Sequence, residues 1–323
     1  MKSLLLGAAL GLIAFQSAPA LAQAKFAPTK PVTLVVPYPP GGSNDNFART
    51  LGKRFSDAWK QPVIIDNRPG ANGSIGAAAV SRAAPDGYTL VLLSSSFTTN
   101  AAIQKSLPFD PVTGFAPVGM VAKGPLLLTV ANALPAKSLA ELLALAKSQP
   151  GKLNYGSSGT GSINHFATEV FMEAAGIRMT HVPYKGMAPA VTDIVGGHVD
   201  VLIASAPSIQ QQVKAGKVRG LGVTSPGPSP VVPELASMQQ AGVKGYSIEL
   251  WWGVLAPAGT PPDVVAAINA ELNRILAAPE VKEVILREGA EAAPTTPQQF
   301  AAIIRDEIEQ WKKVAKNAGI TAD

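Results

Sequence analysis

The stretch Val32 to Arg49 constrains this chain more than any other, reading Val-Thr-Leu-Val-Val-Pro-Tyr-Pro-Pro-Gly-Gly-Ser-Asn-Asp-Asn-Phe-Ala-Arg. Its first five residues have the apolar, β-branched character of a buried strand, and Pro37 with Pro39-Pro40-Gly41-Gly42 stops any ladder. Ser43 then reads as an N-cap, and Phe47, Leu51 and Phe55 recur every fourth residue as on a helix. Two glycines let backbone N–H groups approach a ligand closely, and a helix start offers unpaired donors to an anion. Such a unit is either half of an anion-binding cleft or an ordinary strand-to-helix turn of an α/β domain.

The unit recurs. Pro62 to Asp66 is a short apolar strand, and Asn67-Arg-Pro-Gly-Ala-Asn-Gly-Ser74 is a second glycine-rich turn into an Ala-rich helix. Tyr88 to Leu93 is a third strand, opening into the polar loop Ser94 to Asn100. In open α/β sheets ligands bind beyond the carboxyl ends of strands, so three such loops carry more weight than one. From Gly124 the pattern restarts, with a strand at Leu126 to Val130 and a capping box at Ser138-x-x-Glu141. The strand Leu153 to Tyr155 leads into Gly156-Ser-Ser-Gly-Thr-Gly-Ser162 and an amphipathic helix through Phe166 and Val170. Strands at Thr180 to Val182, Val199 to Ile203 and Val218 to Val223 follow, separated by helices. The alternation predicts parallel sheets in both halves. Ser225 to Pro233 is a proline-dense loop, Tyr246 to Leu255 an extended segment passing back, and two helices close the chain against the first domain, starting at Thr260-Pro-Pro and near Phe300. Trp251 and Trp252 are expected to pack at the crossing between domains.

A length of 323 residues with 47% hydrophobic content suits two domains. The start has Lys2, apolar Leu4 to Phe15 and Ala18-Pro19-Ala20-Leu21-Ala22, the parts of a secretory signal, so residues 1–24 are read as a leader. The competing reading is a buried N-terminal helix. Removing the leader takes one Lys and lowers the formal charge from +5 to +4. There is no cysteine, which excludes disulfides, thiolate sites and a lipidated cysteine. The protein is therefore expected in the periplasm without a lipid anchor. The basic residues are scattered with little aromatic interleaving, which argues against nucleic acid and fits a small anion.

An enzyme needs a nucleophile, a base or a metal. The histidines His165, His181 and His198 have no metal-ligand spacing, so no metal or cofactor is expected. No serine lies in G-x-S-x-G; a hydrolase would have to use Ser158 or Ser162 with His165 as base. Gly156-x-x-Gly159-x-Gly161 is not a dinucleotide fingerprint, and no Walker lysine follows it. It supplies close approach, the hydroxyls of Ser157, Ser158, Thr160 and Ser162, and a helix start: a donor-rich, uncharged carboxylate site. Micromolar binding needs about 8 kcal/mol, and charge-assisted hydrogen bonds contribute about 1.5 to 3 kcal/mol each, so four or five suffice if the cleft closes. Ser43, Thr160 and Ser162 are equally good as helix caps, Tyr38 and Tyr184 either wall the cleft or pack, and Asp45 and Asp193 suit holding loop backbone better than facing an anion.

Tyr38-Pro-Pro-Gly-Gly-Ser-Asn-Asp45 with Ala48-Arg49, Asn67-Arg-Pro-Gly-Ala-Asn-Gly73, Pro85-Asp-Gly-Tyr-Thr-Leu90, Gly156 to Ser162 with His165, His181-Val-Pro-Tyr-Lys-Gly186, Gly197-His-Val-Asp200 and Leu255-Ala-Pro-Ala-Gly-Thr-Pro261 together resemble the substrate-binding proteins of tripartite tricarboxylate transporters, the Bug family of periplasmic receptors. The resemblance covers essentially the whole mature chain. It implies an α/β, two-domain Venus-flytrap fold of the type II periplasmic-binding class with two interdomain crossovers. The first domain would be 25–123 with 245–323, and the second 124–244. It also implies a monomeric receptor for a small organic anion, serving the permease subunits of such a transporter. The ligand's carboxylate would be held between the loop carrying Tyr38, Pro40, Gly41, Gly42, Ser43, Asn44 and Asp45 and the loop carrying Ser157, Ser158, Thr160, Gly161, Ser162 and His165. Ser95, Thr99, Tyr184, Asp193 and Ser205 complete the candidate site. Two departures are the absence of a basic residue in Ser225 to Pro233 and Asn46, where an apolar residue is commoner.

Overall fold

The run Val32 to Val36 forms a strand because it is apolar and β-branched, and it is buried on both faces, as a central strand must be. In this computed structural model, which describes residues 26–322, that strand is β1 (Val32–Val36). The expected leader, residues 1–24, lies outside the described residues. Along the first half follow α1 (Ser43–Trp59), β2 (Val63–Asn67), a single 3-10 turn at Ala71–Gly73, α2 (Ser74–Ser81), β3 (Thr89–Ser94) and α3 (Ser96–Ile103). Then come β4 (Phe115–Ala131), α4 (Leu139–Ser148), β5 (Asn154–Ser157), α5 (Ile163–Ala175), β6 (Thr180–Pro183), α6 (Met187–Gly196), β7 (Val201–Ser205), α7 (Ala206–Lys214) and β8 (Val218–Val223). The chain ends with β9 (Glu249–Pro257), α8 (Pro262–Ala277), α9 (Pro279–Arg287), β10 (Glu291–Ala292) and α10 (Pro297–Ala318).

The strands run in the order β2-β1-β3-β9-β4-β7-β5-β6, with β8 and β10 also on β4. The long strand β4 joins the two halves: Phe115 to Pro125 pair with β9, and Leu126 to Ala131 pair with β7 and β8. Beside it the chain returns through Thr224 to Ile248. Buried Thr224 stitches the two passages together, its hydroxyl accepting from Leu126 N at 2.8 Å and donating to the Ile248 carbonyl at 2.6 Å.

The sheets are not wholly parallel, which corrects the expectation from alternation. β1, β2 and β3 are parallel, as are β5, β6 and β7, but β9 is antiparallel to β3, and β4 to β7 and β8. The helix connections return the chain to one edge and give parallel neighbours. β9 in one sheet and the far end of β4 in the other arrive from the opposite half, where the other strands finish, and so run the other way.

Three helices rather than two close the chain. Pro279 disfavours helical geometry at Ala278, which is extended (φ −65°, ψ 128°), so α8 ends and α9 starts afresh. Gly253 of β9 lies directly under the ring of Phe300 on α10, and Trp251 meets that ring edge-on at 5.1 Å. Trp252 packs against Phe47 at 4.8 Å, so both tryptophans are core residues. Among the described residues no helix is long and apolar enough to cross a membrane.

Candidate functional site

The carboxyl ends of β1, β3, β5, β6 and β7 carry the candidate residues. Beyond β1, Tyr38 is held by a 3.2 Å hydrogen bond from Ser94 Oγ to its phenol oxygen, and burial pushes its pKa up. Pro40, Gly41 and Gly42 are exposed, and Ser43 and Asn44 are half-buried. The cap of α1 is Gly42, not Ser43. Ser43 is the first helical residue, so no side chain caps this helix start. Asn44 Oδ1 is buried without a partner.

Asp45, four residues beyond Gly41, turns its carboxylate inward. Burial alone would raise its pKa, but Arg49 Nε at 2.9 Å, the Gly41 amide at 3.0 Å and Asn67 Nδ2 at 3.0 Å together hold it below the ordinary carboxylate value. Asn67 also donates to the Tyr38 carbonyl at 3.2 Å. This network sets the shape of the loop, and Arg49 is engaged by it. Asn46, the departure noted above, donates to Glu288 Oε2 at 2.9 Å.

The stretch after β3 is helical from Ser96, which corrects the expected loop at Ser94 to Asn100. Two of its hydroxyls reach back to the backbone: Thr98 Oγ1 lies 2.8 Å from the Ser95 carbonyl and also 2.8 Å from Glu307 Oε2, and Thr99 Oγ1 bonds to the carbonyls of Ser95 and Ser96. Ser95 Oγ accepts from Trp251 N at 2.9 Å. Ser95 and Thr99 are buried and spend their hydroxyls on the fold.

Beyond β5 the glycine loop is built largely on itself. Ser157 Oγ lies 2.6 Å from His181 Nε2 and accepts from the Gly159 amide at 3.1 Å. Ser158 Oγ donates to Asn164 Oδ1 at 2.9 Å. The Gly161 amide donates to His165 Nδ1 at 3.3 Å, and Ser162 Oγ caps α5 by accepting from the His165 amide. The imidazoles of His165 and His181 stack at 4.0 Å, with Tyr155 stacked on His181 at 4.9 Å. Burial, and secondarily the neighbouring His181, lower the His165 pKa to about 4, so it is neutral near pH 7. Neither Ser158 nor Ser162 puts its hydroxyl on the His165 ring, so the serine–histidine pairing that a hydrolase would need there is not formed.

Tyr184 donates to Asp193 Oδ2 at 2.6 Å, and burial, then that carboxylate, raise its pKa to about 12. Its ring lies against Gly156. Ser205 ends β7 with its hydroxyl 2.8 Å from that of Ser208.

Contacts also cross between the halves. Asn72 Nδ2 donates to the Thr160 carbonyl at 2.7 Å, and Ile163 N to Ser96 Oγ at 3.4 Å. Gly161 sits so close to Ile103 that an added Cβ would lie 2.5 Å from its Cδ1. Asn72, Ser96, Asn100 and Ile103 were not among the candidates. The only signal for Asn72 is its place in the second glycine-rich turn, and a helix start at Ser96 is masked by poor helix formers.

Residues 47–320 match the model of the tripartite tricarboxylate transporter family receptor. BugT of Bordetella pertussis is 35% identical over 294 residues, covering 90% of this chain and 90% of that protein. The solved structure of R. palustris Rpa4515 with adipate is similar at a TM-score of 0.87 and 38% identity, over 91% of this chain and 99% of that one. MatC (Rpa3494) from Rhodopseudomonas palustris with bound malate gives 0.82 and 30%, over 89% and 99%. Such neighbours share the two-domain α/β fold of periplasmic binding proteins, and the chain has that fold. With a matching model that spans both halves, and neighbours alike over nearly their whole length, this chain belongs to the tripartite tricarboxylate transporter receptor family of periplasmic solute-binding proteins.

Proposed function

We propose that the protein is a non-enzymatic receptor that captures a small carboxylate between its two halves and delivers it, as a monomer, to the permease of a tripartite tricarboxylate-type transporter. In this reading residues 1–24 export it to the periplasm, and the halves divide as 25–123 with 245–323 and 124–244. The observation that carries the proposal is the start of α1. It opens beyond β1 behind Gly41 and Gly42 with no side-chain cap, whereas the start of α5 is closed by Ser162. An uncapped helix start with a partial positive charge suits a carboxylate. Of the two aspartates among the candidates, Asp45 is paired with Arg49 and Asp193 is engaged by the Tyr184 hydroxyl, which leaves the loop amides and hydroxyls as the groups offered to an anion. Adipate and malate, found in the neighbouring structures, are both dicarboxylates and fit such a surface.

The test is thermal unfolding of ligand-stripped protein against mono-, di- and tricarboxylates, acidic amino acids and aromatic acids. A ligand at about 100 times Kd adds about 2.7 kcal/mol, an upward shift on the order of 5 to 10 °C. Ser43→Asp then locates the site. A negative charge in the first turn favours the helix but repels an anion at its start, so this variant should keep the wild-type Tm and lose the ligand-induced shift. A Ser43→Asp protein that binds the same carboxylate undiminished would place the site elsewhere.

A further inference from the structure

The Gly156-x-x-Gly159-x-Gly161 loop has two unusual backbone positions, Gly159 at φ +125° and Gly161 at φ +81°. The space beside Gly161 is filled from the other half of the molecule, and that beside Gly159 is shared between the other half and the Tyr184 carbonyl of its own half. An added Cβ on Gly159 would lie 3.3 Å from Asn72 Oδ1, and one on Gly161 would meet Ile103 and lie 3.6 Å from Asn100 Oδ1. The glycines therefore admit protein as well as any solute. Of these neighbours, Asn72 makes the shortest polar contact across the halves, 2.7 Å from Nδ2 to the Thr160 carbonyl.

Asn72 is held out for this contact by its own turn. It has left-handed geometry (φ 50°, ψ 33°), which asparagine tolerates better than most residues, within the Ala71–Gly73 turn. That turn is closed by Gly73 N to the Gly70 carbonyl at 3.0 Å. Gly73 rests on the Tyr38 phenol and Gly76 on Pro37, so the position of Asn72 follows the loop after β1. One residue thus connects the β1 loop of the first half to the glycine loop of the second.

We infer that Asn72 is a positioning residue for solute capture, a latch whose side-chain amide holds the Thr160 carbonyl and fixes the glycine loop in its closed setting. The inference rests on the receptor reading above for its consequence, but the contact itself does not depend on which solute is bound. A latch that holds the closed setting opposes the opening that release requires, so its loss should speed dissociation.

Asn72→Asp keeps the shape and the tolerance for left-handed geometry but turns oxygen towards oxygen; Asn72→Gly removes the side chain and keeps the backbone relaxed. Because the chain has no cysteine, Lys53→Cys on α1 and Lys152→Cys before β5 can each carry one spin label. The distance distribution in ligand-stripped protein should shift to longer values in both Asn72 variants. With adipate or malate as probe, dissociation should quicken about five- to tenfold, the loss of one hydrogen bond, with Tm nearly unchanged. A merely structural asparagine would lower Tm and leave the distances and the dissociation rate alone, and that result would overturn the inference. If the wild type binds neither probe, it is the carboxylate reading that fails, and the distance distributions alone decide the latch.

Discussion

Asp45 illustrates how the charge of a side chain and its place in a site can be separated. Its spacing from Gly41 and Gly42 makes it legible as part of the first loop, and like charge argues that it should not face an anion. The structure gives the reason in full: its two oxygens accept from Arg49, Gly41 and Asn67. The contact with Asn67, 22 residues away, is invisible before the fold brings β2 beside β1. An amide at this position keeps one acceptor oxygen and turns an NH2 group towards one of the donors. Asp45→Asn should therefore cost about 1 to 3 kcal/mol at pH 7 in denaturant unfolding. The carboxyl's pKa is depressed below 3.8, so the unfolded chain takes up its proton first as pH falls. The stabilisation is complete above the unfolded value and is lost as pH drops through the folded one, so the gap between wild type and variant should close in acid. A gap that stays constant down to pH 2 would show that the charge contributes nothing.

At the level of elements, strands and helices with clear periodicity were legible, from β1 and α1 to the last helix near Phe300. Direction and continuity were not. The sequence around Gly124 breaks the apolar run, so β4 reads as beginning at Leu126, yet it starts at Phe115, because β9 lies alongside to pair with it. The glycine loop was legible as a tight turn before a helix, but its roominess serves contacts from α3 and the Ala71–Gly73 turn that lie more than 50 residues away in sequence. The same holds for the joint between the halves, where nothing marks Thr224 as special. Thr224→Val preserves its shape and strands the Leu126 amide and the Ile248 carbonyl, both tied to its buried hydroxyl. A loss of about 1 to 3 kcal/mol is expected in unfolding experiments. An unchanged midpoint would mean that these groups find water or each other, and that the two passages are not tied through this residue.

For the whole molecule, the two-domain fold and family were legible from ordered motifs, whereas the degree to which the halves share one interior was not, since that depends on side chains meeting across elements. Two-domain proteins commonly unfold in separable steps, because a small polar interface leaves each domain its own core. Here the main apolar cluster runs through both halves, taking in Phe47, Leu92 and Trp252 from one and Tyr155, Phe166 and Ile203 from the other. Trp311 of α10 packs edge-on against Phe166 of α5 at 5.5 Å, and the buried phenol of Tyr246 donates to the Ala167 carbonyl at 3.0 Å. Neither half can unfold without exposing apolar surface of the other. Calorimetry on ligand-stripped protein should accordingly give a single transition, with calorimetric and van't Hoff enthalpies equal. Trp311→Ala, which deletes a large part of the shared seam, should cost about 3 to 5 kcal/mol and begin to separate the halves into two transitions. Two resolved transitions in the wild type would mean that the shared cluster is too weak to couple the halves. The polar contacts at Thr160 and Ile163 can be exchanged for water at small cost, while the seam at Trp311 cannot, so the molecule has the means to open at the first and stay joined at the second.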